Sequence, residues 1–378
     1  MSSSSPSLSP SSSQPHPSSQ PSSLSSSTPS RTARIAAGVA AGGALVAATA
    51  VAGAGVALLR VALDADCPHS IFVRRSGNHF DDHGATNIPV PEQTQRWFEM
   101  TRQSVVIRSY DRLRLHSWRF DPDTARPLPH CYAVCVHGYT GGPEEMAPWA
   151  QHYAAMGFTV LTPALRAHER SEGRYVTMGA LERRDLKQWV NLIISRDPQA
   201  RILLHGNSMG GASVLLAGAD PCHAPNVKAI VADSAFVCAS TQLTGSMADA
   251  LHVPRALARL SVGVANLLLG RVADASLADA DVLDAVRRLT LPTLFIQGGA
   301  DTIVDPSSAR RLYEACASND CELLVVPDAG HVASLAADPA LYWSTVDAFL
   351  RRIPAFADAA DGTTKTTVKT AVNTNTAA

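Results

Sequence analysis

The sequence lacks charge imbalance, metal-binding cysteine patterns and repeated long apolar runs, and each absence excludes a class of function. Its 378 residues carry 32 Lys+Arg against 33 Asp+Glu, a formal net charge of −1, and no region is strongly basic. Nucleic-acid binding driven by bulk charge needs a basic footprint for the phosphates, so it is excluded. The seven cysteines (Cys67, Cys131, Cys135, Cys222, Cys238, Cys316, Cys321) form no CxxC pair and no Cys/His spacing, so no metal is implied. Their odd number precludes complete intramolecular pairing. Cys131 and Cys135 lie in an apolar strand and read as packing residues. Cys316 and Cys321 flank a short turn, where a bond is possible. Only one uncharged stretch of 20 residues or more, Ile35–Leu59, consists almost wholly of Ala, Gly, Val, Leu and Ile, which excludes a polytopic membrane protein. A hydrophobic content of 46% excludes a wholly disordered chain.

What is present falls into unequal regions. Of residues 1–30, 17 are Ser and 6 are Pro. Such a segment has too few bulky apolar side chains to offset the entropy of ordering, so residues 1–33 read as a disordered leader. Ile35–Leu59 follows with 25 uncharged residues rich in Ala, Gly and Val, between Arg34 and Arg60. As a helix it is roughly 37 Å long, against about 30 Å for a hydrocarbon core. A signal peptide has a shorter apolar region of about 7–15 residues. A transmembrane helix over 34–63 is expected, with a cleaved signal or a buried Ala/Gly helix as the alternatives. The arginine bias on its flanks is weak and places the leader inside and the folded domain outside. From Ala357 the Thr/Ala/Asn-rich tail reads as unstructured.

Between them, 64–356 alternates strand and helix signals. Residues 104–121 alternate apolar and polar around Tyr110-Asp111 and predict a β-hairpin. Short apolar runs at 130–138, 158–163, 201–205, 227–232, 291–297 and 321–326 suit strands buried on both faces. Helical patterns follow at 144–156, 179–194, 209–217, 307–316 and 339–353. This predicts an α/β fold, a mainly parallel sheet with helices on both faces. Residues 238–288 break the rhythm, with helical stretches at 256–269 and 281–289. They are too long for a simple connection and predict a helical cap over the carboxyl edge of the sheet, where such folds bind ligands.

Gly206-Asn207-Ser208-Met209-Gly210-Gly211 lies between the strand RILLH and the helix SVLLAGA. A GxSxG turn in that context exposes a serine hydroxyl at a strained bend and puts a helix N-terminus beside it. Serine is a weak nucleophile and needs a base. Two later strands end in loops holding Asp301 and His331, giving the order Ser208, Asp301, His331. His331 would shuttle the proton and Asp301 would orient it. Asp305, four residues on, is the rival acid; Asp328 reads as a turn residue. The turn His137-Gly138-Tyr139-Thr140-Gly141-Gly142 supplies a second oxyanion donor, so the backbone amides of Tyr139 and Met209 form the expected pair. His137 and His205 end strands, where turn stabilisation is expected, and His168 reads as an exposed loop residue.

VHGYTGG (136–142), SEGRYVTMG (171–179), LHGNSMGGAS (204–213), FIQGGADTIV (295–304) and AGHVAS (329–334) together resemble the α/β-hydrolase superfamily, and within it a bacterial group of membrane-anchored serine hydrolases described as esterase- or lysophospholipase-like. The resemblance covers roughly 100–353. It implies the same roles for Ser208, Asp301 and His331 and the same oxyanion residues, Tyr139 and Met209. One departure is Leu165-Arg166-Ala167-His168-Glu169-Arg170-Ser171, where Ala167 and Glu169 replace the glycines of the usual Arg-Gly-His-Gly.

The expected function is hydrolysis of a small-molecule ester or acyl-lipid through an acyl-enzyme, without a cofactor. The membrane is the partner through 35–59. A serine peptidase or amidase on the same fold, and a non-catalytic binding module, are the alternatives.

Overall fold

The computed structural model describes residues 31–72 and 90–357, and of 31–44 the backbone alone. The leader to residue 30 and the tail from 358 lie outside the described residues. The chain divides into two units, Met1–Ala48 and Thr49–Ala378. The helix α1 (Arg31–Leu58) begins in the first; in the second it passes into a short wider turn, Leu59–Leu63. The segment Leu45–Leu63 is apolar enough and long enough to cross a membrane.

The second unit is organised on eight strands: β1 (Gln103–Arg108), β2 (Arg114–Phe120), β3 (Cys131–Val136), β4 (Thr159–Pro163), β5 (Arg201–Asn207), β6 (Val227–Asp233), β7 (Thr293–Gly298) and β8 (Cys321–Val326). They form one sheet in the order β1-β2-β4-β3-β5-β6-β7-β8. The expected hairpin pairs β1 with β2, from Gln103 opposite Arg119 to Arg108 opposite Arg114. β2 also meets β4 antiparallel, and all later neighbours are parallel. The helices are α2 (Glu92–Thr101), α3 (Ala147–Met156), α4 (Glu182–Arg196), α5 (Met209–Gly218), α6 (Ala239–Leu251), α7 (Arg255–Val272), α8 (Val282–Val286), α9 (Ser308–Ala315), α10 (Ser334–Ala337) and α11 (Pro339–Arg352).

The central strands β3 to β7 are largely apolar because both faces are covered. In β3, Val134 and Val136 belong to a core with α4, α5, α7 and α8, while Ala133 and Cys135 belong to a second core with α2, α3 and α11. α4 buries Leu186, Trp189, Val190 and Ile193, a spacing that makes one apolar stripe. Each such side chain contributes about 1.5–3 kcal/mol on burial. α11 starts at Asp338-Pro339, where the aspartate side chain accepts the amide of Leu341 and proline needs no partner.

Three helices lie between β6 and β7, in the interval expected to hold a cap. The sequence reading found α7 and α8 there but missed α6, whose buried residues Ala239, Leu243, Met247 and Ala248 sit among polar neighbours and make a weak pattern. It missed α2 for the same reason. Cys316 and Cys321 are free thiols with sulfurs 2.9 Å apart.

The departure at 165–171 keeps the backbone that glycine would give. Ala167 and Glu169 have φ of 64° and 43°, in the left-handed region that disfavours a side chain. Arg166 compensates: its guanidinium is buried and takes Asp185 through two bonds of 2.7 Å and Asp111 at 3.0 Å. Ala167→Gly should relieve this strain and raise stability by about 1 kcal/mol, or about 2 °C in Tm by thermal unfolding. An unchanged or lower Tm would show that the loop is not strained there.

Candidate active site

Ser208 joins β5 to α5 with φ 52° and ψ −116°, a bend no regular element contains. Close backbone packing imposes it. A Cβ on Gly206 would lie 2.3 Å from the Gly210 oxygen, and one on Gly210 would lie 2.2 Å from the Val136 oxygen. Only glycine lets the helix start so close to β3 and β5. The amide of Ser208 is held by the carbonyl of Asp233 at 2.8 Å, and Ser208 is 7% exposed.

The loops after β7 and β8 bring the other two expected residues to it. His331 Nε2 lies 2.8 Å from Ser208 Oγ, and His331 Nδ1 lies 2.7 Å from Asp301 Oδ2. The amides of Ile303 and Val304 donate to Asp301 Oδ1 at 2.8 and 2.9 Å, and Gln297 Nε2 donates to Oδ2 at 2.8 Å. A carboxylate ringed by N–H donors acts as an acceptor, so Nδ1 of the histidine carries the proton towards it. Nε2 is then free to accept from the serine hydroxyl. Such an arrangement can take a proton from Ser208 and return it. Asp305 instead accepts the amide of Ser307 at 2.9 Å at the start of α9, and that bond holds its carboxyl below the usual range. Asp328 is exposed in its turn.

A profile of the alpha/beta hydrolase family matches residues 133–344, more than half of the chain. The chain belongs to this family. Among curated relatives, a thermostable monoacylglycerol lipase of Bacillus sp. (strain H-257) is 28% identical over 220 residues, 54% of this chain and 84% of that protein. A monoglyceride lipase of Rattus norvegicus is 29% identical over 199 residues, 44% and 63% of the two chains. An esterase of Pyrococcus furiosus shares the fold with a TM-score of 0.56 and 24% identity, covering 70% of this chain and 95% of that one.

In this alpha/beta hydrolase the two candidate oxyanion positions are built differently. Met209 is the buried first residue of α5. Tyr139 sits in the turn after β3, braced from three sides. Its hydroxyl donates to the carbonyl of Ala62. Phe72 packs edge-on against its ring, with centroids 4.8 Å apart. Its carbonyl lies 2.6 Å from His168 Nε2. His168 is therefore buried, against the expectation of exposure, because Phe72 and His137 cover its ring. His137 does support its turn: Nε2 accepts the amide of Leu165 at 3.0 Å, and Nδ1 donates to Gly138 O at 2.8 Å. Burial pushes its pKa down to about 3, so it stays neutral. His205 is no turn residue. Its ring lies inside the second core, with Nδ1 2.7 Å from the Tyr153 hydroxyl.

The sequence reading missed Gln297 and Asp233. Asp233 ends β6 and is fully buried. It accepts the hydroxyls of Ser234 at 2.9 Å and Tyr342 at 3.1 Å. Ser234 Oγ in turn accepts the amide of Val332, next to His331, at 3.1 Å. The signal was its place at a strand end, without a motif to mark it.

Burial raises the Asp233 carboxyl from 3.8 to about 6. A group whose pKa is raised by folding contributes stability below its unfolded value and loses it as the pH rises through the folded one. Asp233→Asn removes that loss while keeping a buried amide for the same partners. Relative to the parent it should therefore gain about 1.4 kcal/mol between pH 5 and pH 8, since about one pH unit of that interval lies below the raised pKa, at about 1.36 kcal/mol per unit. Denaturant unfolding at both pH values tests this. Parallel curves for the two proteins would refute it.

Proposed function

We propose that this protein is a serine hydrolase that cleaves carboxylic esters through an acyl-enzyme. The observation that carries the reading is the 2.8 Å contact of Ser208 Oγ with His331, on a ring whose other nitrogen meets Asp301 at 2.7 Å. Ser208 attacks the ester carbonyl as His331 takes its proton, and the amides of Tyr139 and Met209 receive the oxyanion. The imidazolium protonates the departing alcohol, leaving an acyl ester on Ser208. Water then attacks that ester, giving a proton to His331. The proton passes to Ser208 Oγ as the acid leaves. Asp301 holds the ring and stabilises its charged form. Every proton and electron pair moves between these groups, the substrate and water.

An acyl-lipid or small-molecule ester is the proposed substrate. Two monoacylglycerol or monoglyceride lipases among the relatives and an apolar helix beside the folded domain support it. Ser208→Ala should lower hydrolysis of p-nitrophenyl esters on the order of 10⁶-fold and abolish labelling by a fluorophosphonate. Retained turnover, or faster cleavage of matched amides than of esters by the parent protein, would overturn the assignment. Absence of labelling in the parent would favour a binding module.

For location, we propose a single membrane span by the apolar helix, with the hydrolase domain, residues 64–356, outside the cell and the leader inside. Protease added to intact cells should remove the domain and spare the leader. A domain cut only after lysis would reverse the orientation.

A further inference from the structure

The helix α7 has the wrong outer face for a helix exposed to water. It buries Ala258, Ser261, Val262, Ala265 and Leu269 against the first core. A surface helix with that inner stripe normally turns polar residues outwards. Here Leu257, Leu260 and Leu267 are 44%, 58% and 62% exposed, with Val272 exposed at its last position and Leu251 exposed at the end of α6. The charged residues of α7 are Arg255, Arg259 and Arg271, and it has no Asp or Glu.

The end of α1 lies against this helix. A Cβ on Gly55 would meet Val264 Cβ at 2.6 Å and the Ser261 carbonyl at 2.7 Å, so the two helices touch backbone to backbone. Beyond Gly55, Leu59 and Leu63 are buried in the first core. The apolar segment Leu45–Leu63 therefore cannot all lie in lipid, since Leu59 and Leu63 near its end are already packed on protein. The 20 residues from Ile35 to Ala54 are uncharged and about 30 Å long as a helix, enough to cross the hydrocarbon core alone. A span ending there sets the bilayer surface at the contact of Gly55 with α7.

We infer that the outer face of α7 docks on the lipid surface, its leucines in the boundary of headgroups and acyl chains and its arginines among anionic headgroups. Interfacial helices combine this apolar face with basic residues. A second copy of the chain fits less well, because a symmetric contact would set three arginines against three arginines. The inference rests on reading α1 as a membrane span, and it would bring the helices between β6 and β7 to the membrane.

The test uses the full chain reconstituted in vesicles of phosphatidylcholine and phosphatidylglycerol. Cys222, Cys238, Cys316 and Cys321, the thiols that are not buried, are replaced by alanine. An environment-sensitive fluorophore is attached through Leu260→Cys or, on the opposite side of the sheet, through Arg351→Cys on α11. Spin-labelled lipid should quench the first label at least about threefold more than the second, and aqueous iodide should do the reverse. Equal quenching of both labels by iodide would overturn the inference. So would protection of the first label from both quenchers, the result for an interface between copies. Repeating the measurement with Leu267→Cys guards against a local effect of one substitution. Extraction at alkaline pH separates the two readings. A chain released from the vesicles refutes the span itself, whereas a chain that stays while its α7 label remains in water refutes only the docking.

Discussion

The bend at Ser208 depends on close backbone contact. β5 must deliver the serine above the sheet while α5 begins within one residue, and the backbone is forced to φ 52° and ψ −116°. A conformation of this kind costs about 1–3 kcal/mol and persists only where its surroundings over-determine it. Here the surroundings are carbonyls of β3 and α5, so near Gly210 and Gly206 that no side chain fits. The same contact that strains the serine puts its hydroxyl 2.8 Å from His331 and keeps the end of β3 beside it. A looser turn would release the strain and separate the three loops.

The remaining precision comes from buried polar groups behind the site. His331 is positioned through its ring by Asp301 and through its loop by Asp233, Ser234 and the amide of Val332. The turn holding Tyr139 is positioned by two histidines, and the loop that carries one of them is held by Arg166 between Asp111 and Asp185. These groups are costly to bury unless each is bonded, and for that reason they fix one arrangement over others. Arg166 shows the balance: burial opposes its charge, but two carboxylates hold it charged.

What was legible in the sequence follows the strength of local signals. Strands buried on both faces, and helices with full apolar stripes such as α4 and α7, announce themselves by period. The turn around Ser208 and the strand-end loops of Asp301 and His331 announce themselves by position. Long-range partners do not. Nothing near His168 in sequence indicates that Phe72 covers it and Tyr139 receives its hydrogen bond; both lie at least 29 residues away along the chain. Asp233 and Gln297 have no motif, because their roles exist only once β6, β7 and the histidine loop are adjacent. Ala167 and Glu169 were legible as departures, but their retention of glycine's backbone geometry was not.

The apolar helix shows most clearly where composition stops informing. Hydropathy treats Leu45–Leu63 as one segment. Packing divides it. Leu59 and Leu63 enter the core, Ala62 accepts the hydroxyl of Tyr139, and the chain continues into a buried Asp64. Arg174 grips that carboxylate with bonds of 2.9 and 2.8 Å, and Val176 donates its amide to Leu63 at 2.9 Å. Leaving Asp64 unpaired in the interior would cost several kcal/mol, so this junction resists being pulled into lipid. The end of the helix is thus a structural part of the hydrolase and one wall of the turn that carries Tyr139. A helix built that way does more than tether: displacement along its axis would be felt first at Ala62, one hydrogen bond from Tyr139 in the turn beside Ser208.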